Sequence, residues 1–197
     1  MDVIIVGDGP GGLSAALFLA KNQLSVAVYG LDHTALHWAQ LRNYLGLPEM
    51  HGSQFQKLAI QQVKRWGVSV QNRQVEAIAS LQGGFDVTLQ GAEQLRVRYV
   101  VLSEGKVPRL ARQLGLTMDG SRVVTDKDGR TSLHGVYAVG RSARPGRSQA
   151  IISAGDGAAA ALDILALEKG KDYADWDSPP KRTQLPLGAG GGGPAAG

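Results

Sequence analysis

The run Met1-Asp2-Val3-Ile4-Ile5-Val6-Gly7-Asp8-Gly9-Pro10-Gly11-Gly12, followed at once by the amphipathic stretch Leu13 to Lys21, decides the fold. A short apolar segment ends in Gly7-x-Gly9-x-x-Gly12, which predicts strand, tight turn and helix in the order a dinucleotide-binding fold requires. Gly7 permits the turn, Gly9 lets backbone approach a pyrophosphate without a Cβ in the way, and Gly12 lets the helix pack close to the strand. With Pro10 and Gly11 they form a candidate phosphate cradle, toward which the helix amides and dipole point. A bare glycine turn is the alternative. The Val/Ile strand before the loop and the Ala/Leu helix after it favour the nucleotide.

Outward from that loop, 197 residues and an apolar fraction of 43% fit one domain with a real core. Residues 1–172 are expected to form that domain and 173–197, rich in Gly, Pro and Ala, a disordered tail. Without about 18 uninterrupted apolar residues no membrane span is expected. A chain that opens directly on a fold strand suggests no signal peptide and a cytoplasmic location. The net charge of +4 comes from scattered Lys and Arg, so no nucleic-acid stripe is expected, and an anionic dinucleotide suffices as partner. The chain contains no cysteine. Thiol–disulfide exchange, thiolate iron–sulfur ligation and thiolate zinc are therefore closed to it, and any redox chemistry belongs to a bound cofactor.

The pattern along the chain predicts a helix over 13–22, a strand over 24–29 closed by Gly30, and an irregular stretch over 30–52 with turn chemistry at Asn43 to Pro48. Ser53 is the expected N-cap of a helix over 54–66, stopped by Gly67 ahead of a strand at Val68 to Val70. Three or four short strands follow between 73 and 102, with Gly83-Gly84 as a hairpin turn. A late strand over Gly135 to Val139 ends at Gly140, and a last helix runs from about Ser148 to Glu168, ended by Gly170.

These segments in this order resemble the FAD-binding half of thioredoxin-reductase-like, pyridine nucleotide-disulfide type flavoproteins. Gly135-Val136-Tyr137-Ala138-Val139-Gly140 looks like the family's late strand, and Gln149-Ala150 followed by Ser153 to Ala159 is similar to the segment opening its last helix. Val101-Leu102-Ser103-Glu104-Gly105 stands where the family has an Ala-Thr-Gly segment, and Asn43-Tyr44-Leu45-Gly46 resembles its Asn-aromatic-x-Gly stretch near the flavin. The resemblance covers residues 1 to about 170 and looks closest to short proteins of the FAD domain alone. It implies an α/β, Rossmann-like FAD/NAD(P)-binding fold: a parallel sheet with helices on both faces and a small antiparallel β-meander over 73–97. It also implies FAD as cofactor, held by Gly7, Gly9, Pro10, Gly11, Gly12, Tyr29, Gly30, Asp32, Asn43, Val75, Ser103, Glu104, Gly105, Gly140, Arg141, Gln149 and Ala150.

Departures from the family pattern limit what the resemblance implies. The full reductases insert an NADPH domain between the Ala-Thr-Gly segment and the late strand; here only Lys106 to His134 intervene, too few residues for a βαβ domain. The redox Cys-x-x-Cys is missing, so thioredoxin reductase activity is not expected of this chain. The acid that usually ends the second strand to hold the adenosine ribose is absent from Tyr29-Gly30-Leu31, and Asp32 comes a few residues late. Arg141 replaces the aspartate after the late strand's glycine; it could pair with the pyrophosphate or mark a weakened site. Arg144 and Arg147 add charge to the same loop.

Other patterns are weaker. His33 and His37 share a helical face but lack a third metal ligand, and surface histidines are the better reading, so no metal site is assigned. His51 and His134 stand alone, without support for a hydrolytic triad. Trp38 and Tyr44 either flank a flavin ring or pack in the core. Gly155 and Gly157 cost a helix about 1 kcal/mol each, as a close approach to a cofactor or strand would require. The expected function is an FAD-dependent oxidoreductase without a catalytic side chain of its own, reduced directly by NAD(P)H or through a partner protein. A non-catalytic FAD or dinucleotide-binding module and a simple NAD(P)-dependent oxidoreductase are the alternatives, and a homodimer is left open.

Overall fold

The computed structural model describes residues 1–178. Its frame is a five-stranded parallel sheet built from β1 (Val3–Val6), β2 (Val26–Gly30), β5 (Ser69–Asn72), β9 (Tyr99–Leu102) and β12 (Val136–Ala138), in the order β12-β9-β1-β2-β5. Helix α1 (Pro10–Lys21) crosses from β1 to β2, and α2 (Gly52–Arg65) from β2 to β5. The chain thus walks outward from β1 on one side and returns to β9 and β12 on the other. That reversal puts a topological switch point between β1 and β9, where open α/β sheets bind ligands.

The strands are nearly all apolar because both sheet faces are covered. Val3, Ile5, Val28, Val101, Tyr137 and Val139 pack into one core with α1, α2 and α4 (Ala150–Lys169). Ile4, Ala27, Tyr29, Val100, Leu102, Val136 and Ala138 form a second core. Over that face lies an antiparallel meander of β6 (Val75–Leu81), β7 (Gly84–Leu89) and β8 (Gln94–Val97), with the short α3 (Arg109–Gln113). The long helices therefore gather on one face, and the meander does most of the covering on the other.

Two pieces differ from the pattern reading. Residues 30–52 contain a 3-10 turn at Ala35–Trp38 and a short ladder of β3 (Gln40–Leu41) with β4 (Met50–His51). Ser53 does not cap α2: the helix starts at Gly52, and His51 is the cap, its Nδ1 accepting from the Ser53 amide at 3.3 Å. Between Lys106 and His134 lie α3 and a hairpin of β10 (Met118–Asp119) and β11 (Arg122–Val123), with no βαβ unit.

Helix α4 is long and apolar enough by composition to cross a membrane. Its inner face nonetheless buries Ser153, Gly157, Ala160, Ala161, Ile164 and Leu165 in the core. At its crossing with α1 the backbones meet closely: a Cβ on Gly157 would run into the Gly11 carbonyl, whose carbon would lie at 2.9 Å. Beyond it Gly170 ends the helix in the left-handed region at φ 62°. Tyr173, at the start of the stretch with tail-like composition, packs against the core and hydrogen-bonds to Asn22. Lys21 pairs with Asp175 at 2.8 Å and Asp177 at 2.5 Å. The rest of the expected tail, 179–197, lies outside the described residues.

Candidate functional site

A cleft of about 690 Å³ opens along the carboxyl edge of the sheet, within the size range of small-molecule and cofactor sites. At one end it is walled by Tyr29, Gly30, Leu31, Arg73, Gln74 and Val75, where β2 ends and β5 passes to β6. Gly7, Asp8, Gly9, Pro10 and Gly11 form its middle, with Ser103, Glu104, Gly105 and Arg141. Asn43, Gln149 and Ala150 close the far end, where Asn43 Nδ2 donates to Gln149 Oε1 at 3.0 Å.

Two helix N-termini face this space. Helix α1 starts with Pro10 at its first position, and its cap residue, Gly9, has no side chain to satisfy the free amides of the first turn. Helix α4 likewise has no side-chain cap, because Gln149 is spent on Asn43. Uncapped N-termini carry partial positive charge and unpaired donors, the requirement for holding phosphate or other anionic groups. The glycine at 9 suits a nucleotide. A Cβ there would meet only Thr34 Oγ1, at an ordinary contact distance of 3.5 Å, so packing does not demand glycine. Arg141 adds a cation whose Nε is buried without a hydrogen-bond partner among the described residues. Arg144, by contrast, is neutralised by Asp156 at 2.8 Å.

Glu104 is partly buried in the same wall. Burial pushes its carboxyl up, while the Leu110 and Ala111 amides, at 2.7 and 3.1 Å, pull the other way. Its oxygens therefore anchor the first turn of α3 and leave it poorly placed as a proton donor.

Of the residues expected to hold the cofactor, all but Gly12, Asp32 and Gly140 line the cleft. Gly12 lies behind it, packed on the Gly7 carbonyl as the helix–strand contact requires, and Gly140 packs on Ser153. Asp32 does not line the cleft. Its φ of 54° turns the chain away, and its carboxylate binds His37 Nε2 at 2.8 Å. His37 Nδ1 lies 3.1 Å from Ser53 Oγ, so Asp32, His37 and Ser53 form a hydrogen-bonded row. None of the three lines the cleft, and the row ties the 32–37 loop to α2. Trp38, at 91% exposure, is neither core nor cleft wall, and Tyr44 meets Phe55 with the rings tilted by 42° and their centres 5.5 Å apart. Among the described residues no cluster of three or more His, Asp or Glu is arranged for a metal.

Asp8 was not among the expected residues. It is 8% exposed, and its Oδ2 accepts the Asp32 amide at 2.9 Å. Gln56, also buried, fixes the Asp8 carbonyl through Nε2 at 2.6 Å. The available signal was a pair of departures read together: an acid inside Gly7-x-Gly9 and a glycine where the second strand should end in an acid.

A family model described as pyridine nucleotide-disulphide oxidoreductase matches residues 1–43 and 40–157, and the chain belongs to that family. FAD is the family's cofactor, and the fold is that of thioredoxin-reductase-like flavoproteins. The F subunit of the Pseudomonas putida alkyl hydroperoxide reductase is 26% identical over 183 residues, covering 90% of this chain and 34% of that protein. The thioredoxin reductase of Mycolicibacterium smegmatis is 29% identical over 119 residues, covering 58% of this chain and 37% of the relative. The chain thus spans about a third of the length of these curated relatives. In fold it is similar to a thioredoxin reductase from Gloeobacter violaceus, with a TM-score of 0.82 at 17% identity over 90% of this chain and 98% of that one.

Proposed function

We propose that this chain is the FAD-holding module of a redox flavoprotein whose electrons come from outside the module. The single observation that carries the reading is the carboxyl-edge cleft onto which two uncapped helix N-termini open, with Gly9 leaving its centre free. In this reading the α1 N-terminus and Arg141 hold the pyrophosphate. Asn43, Gln149 and the α4 N-terminus border the isoalloxazine, where positive potential favours the reduced, anionic ring. FAD supplies the hydride and electron chemistry when bound; the chain's residues bind it, orient it and set its electrostatics.

A source of electrons outside the module is supported by two features. The stretch between Lys106 and His134 folds as α3 and a hairpin, with no second nucleotide fold, and the chain has no cysteine to relay electrons to a thiol. The experiment is the visible spectrum of the purified chain followed by anaerobic additions. The expected protein is yellow, releases FAD on denaturation, bleaches with dithionite, and is bleached by neither NADPH nor NADH. Rapid bleaching by one nucleotide would replace this reading with a self-sufficient NAD(P)H-dependent flavin reductase. A colourless chain that takes up no added FAD would remove the cofactor assignment. Gly9→Val is expected to fold normally, since a Cβ there clashes with nothing and touches only Thr34 Oγ1 at 3.5 Å, and to lose flavin.

A further inference from the structure

The end of β2 lacks an acidic side chain, yet an acidic group occupies that place. A Cβ added to Gly30 would collide with the Asp8 carboxyl group, and its nearest neighbours are Asp8 Cγ, Oδ2 and Cβ, with Oδ2 at 2.5 Å. Gly30 has no left-handed φ, so its backbone accepts a side chain; Asp8 is what excludes one. The two positions behave as an exchange in which the acid has moved from the strand end into the glycine loop and the strand end has become glycine to receive it.

The Asp8 carboxylate is nine-tenths buried, and among the described residues its partners are the backbone amides of Asp32 and of Asp8 itself. Oδ2 takes the Asp32 amide, and no cation pairs with the group among the described residues. Asp8 is at the same time one of the residues that line the cleft. A buried carboxylate left in this state is costly unless something donates to it. Its place beside Gly30, at the carboxyl end of the second strand, is where a dinucleotide-binding fold positions an acid for ribose hydroxyls.

Resting on the FAD reading above, we propose that Asp8 is the acceptor of the adenosine ribose hydroxyls in this chain, in place of the missing strand-end acid. Asp32, the nearest acid in sequence, does not do this; its carboxylate is committed to His37, and its amide instead orients Asp8. Gln56 completes the support by fixing the Asp8 backbone from α2.

The test compares FAD with its analogue lacking the adenosine 2′-hydroxyl, binding to the full chain followed by flavin fluorescence. The wild-type protein is expected to bind FAD about tenfold more tightly than the analogue, the worth of a hydrogen bond to a charged group. Asp8→Asn is expected to bind FAD about tenfold more weakly than wild type and to lose most of that discrimination. The exchange supplies a second variant. Gly30→Glu alone is expected to destabilise the protein through its clash with Asp8, and Asp8→Gly combined with Gly30→Glu, which removes the Asp8 Cβ as well as its carboxyl group, to restore both folding and discrimination. Wild-type binding of FAD and analogue with equal affinity would overturn the assignment of Asp8 while leaving the FAD reading standing, as would unchanged discrimination in Asp8→Asn. Failure of the wild type to bind either would overturn both.

Discussion

Asp8 illustrates how a single residue can be costly to the free protein and useful to the complex. Burial pushes its carboxyl up from the ordinary 3.8, with the Asp32 amide only partly opposing; of the nearby charges Asp32 acts in the same upward sense and His37 in the opposite one. A carboxyl raised on folding contributes its stability fully below the ordinary value and loses it as pH rises through the folded value. Ligand-free Asp8→Asn is therefore expected to match wild type near pH 3 and to exceed it in stability at pH 8. Urea midpoints at the two pH values check this; an equal difference at both would mean that titration of Asp8 is not its origin. This is also where sequence reading reached its limit. The glycines of the loop were legible because each answers a backbone demand. Asp8 was not, because no pattern tells which way a loop side chain turns. Asp32 is near the strand end in sequence, but it has a left-handed φ and its carboxylate binds His37.

At the scale of elements, the crossing of α1 and α4 fixes the cleft, because both helices present their N-termini to it. Gly157 sets how closely they approach. Gly157→Val is expected to cost roughly 1–3 kcal/mol, since the obstacle is the Gly11 backbone, and to widen the middle of the cleft beside Gly11. Gly155 lies two residues away, is exposed, and would meet nothing with a Cβ. Gly155→Ala is expected to stabilise the same helix by up to about 1 kcal/mol. Thermal unfolding of the pair separates packing from propensity; similar losses in both would refute the close crossing. The sequence showed two costly helical glycines without distinguishing them, because that distinction depends on what lies opposite each. Elements carried by strong periodicity or glycine stops, such as β2 and α4, were readable to within about two residues. Helix α3 and the β10–β11 hairpin were missed, being too short to carry a period of either kind.

For the whole molecule, the order strand, glycine loop, helix, strand was enough to specify the parallel sheet, since right-handed crossovers and short connections leave few alternatives. Which face would receive the long helices was less legible, because strands covered on both sides read as continuous apolar runs with no preferred face. The result is two cores divided by one sheet, with the cleft along the edge where they meet, so a ligand lying in it touches elements of both. FAD binding should therefore stabilise the protein as a unit. At a free concentration of about 100 times Kd the gain is about 2.7 kcal/mol, which for a chain of this size raises Tm by roughly 5–10 °C. Arg141 should carry much of the electrostatic share, because its buried Nε lacks a partner among the described residues and a pyrophosphate would supply one. Arg141→Gln is expected to reduce the FAD-dependent rise in Tm and to make the remainder less sensitive to salt. The ligand-free Tm should change little, since no ion pair to Arg141 is lost among the described residues. Melting curves at low and high salt, with and without FAD, measure all three quantities. A variant with the full wild-type shift and the same salt dependence would place the pyrophosphate away from Arg141, leaving the α1 N-terminus as its principal anchor.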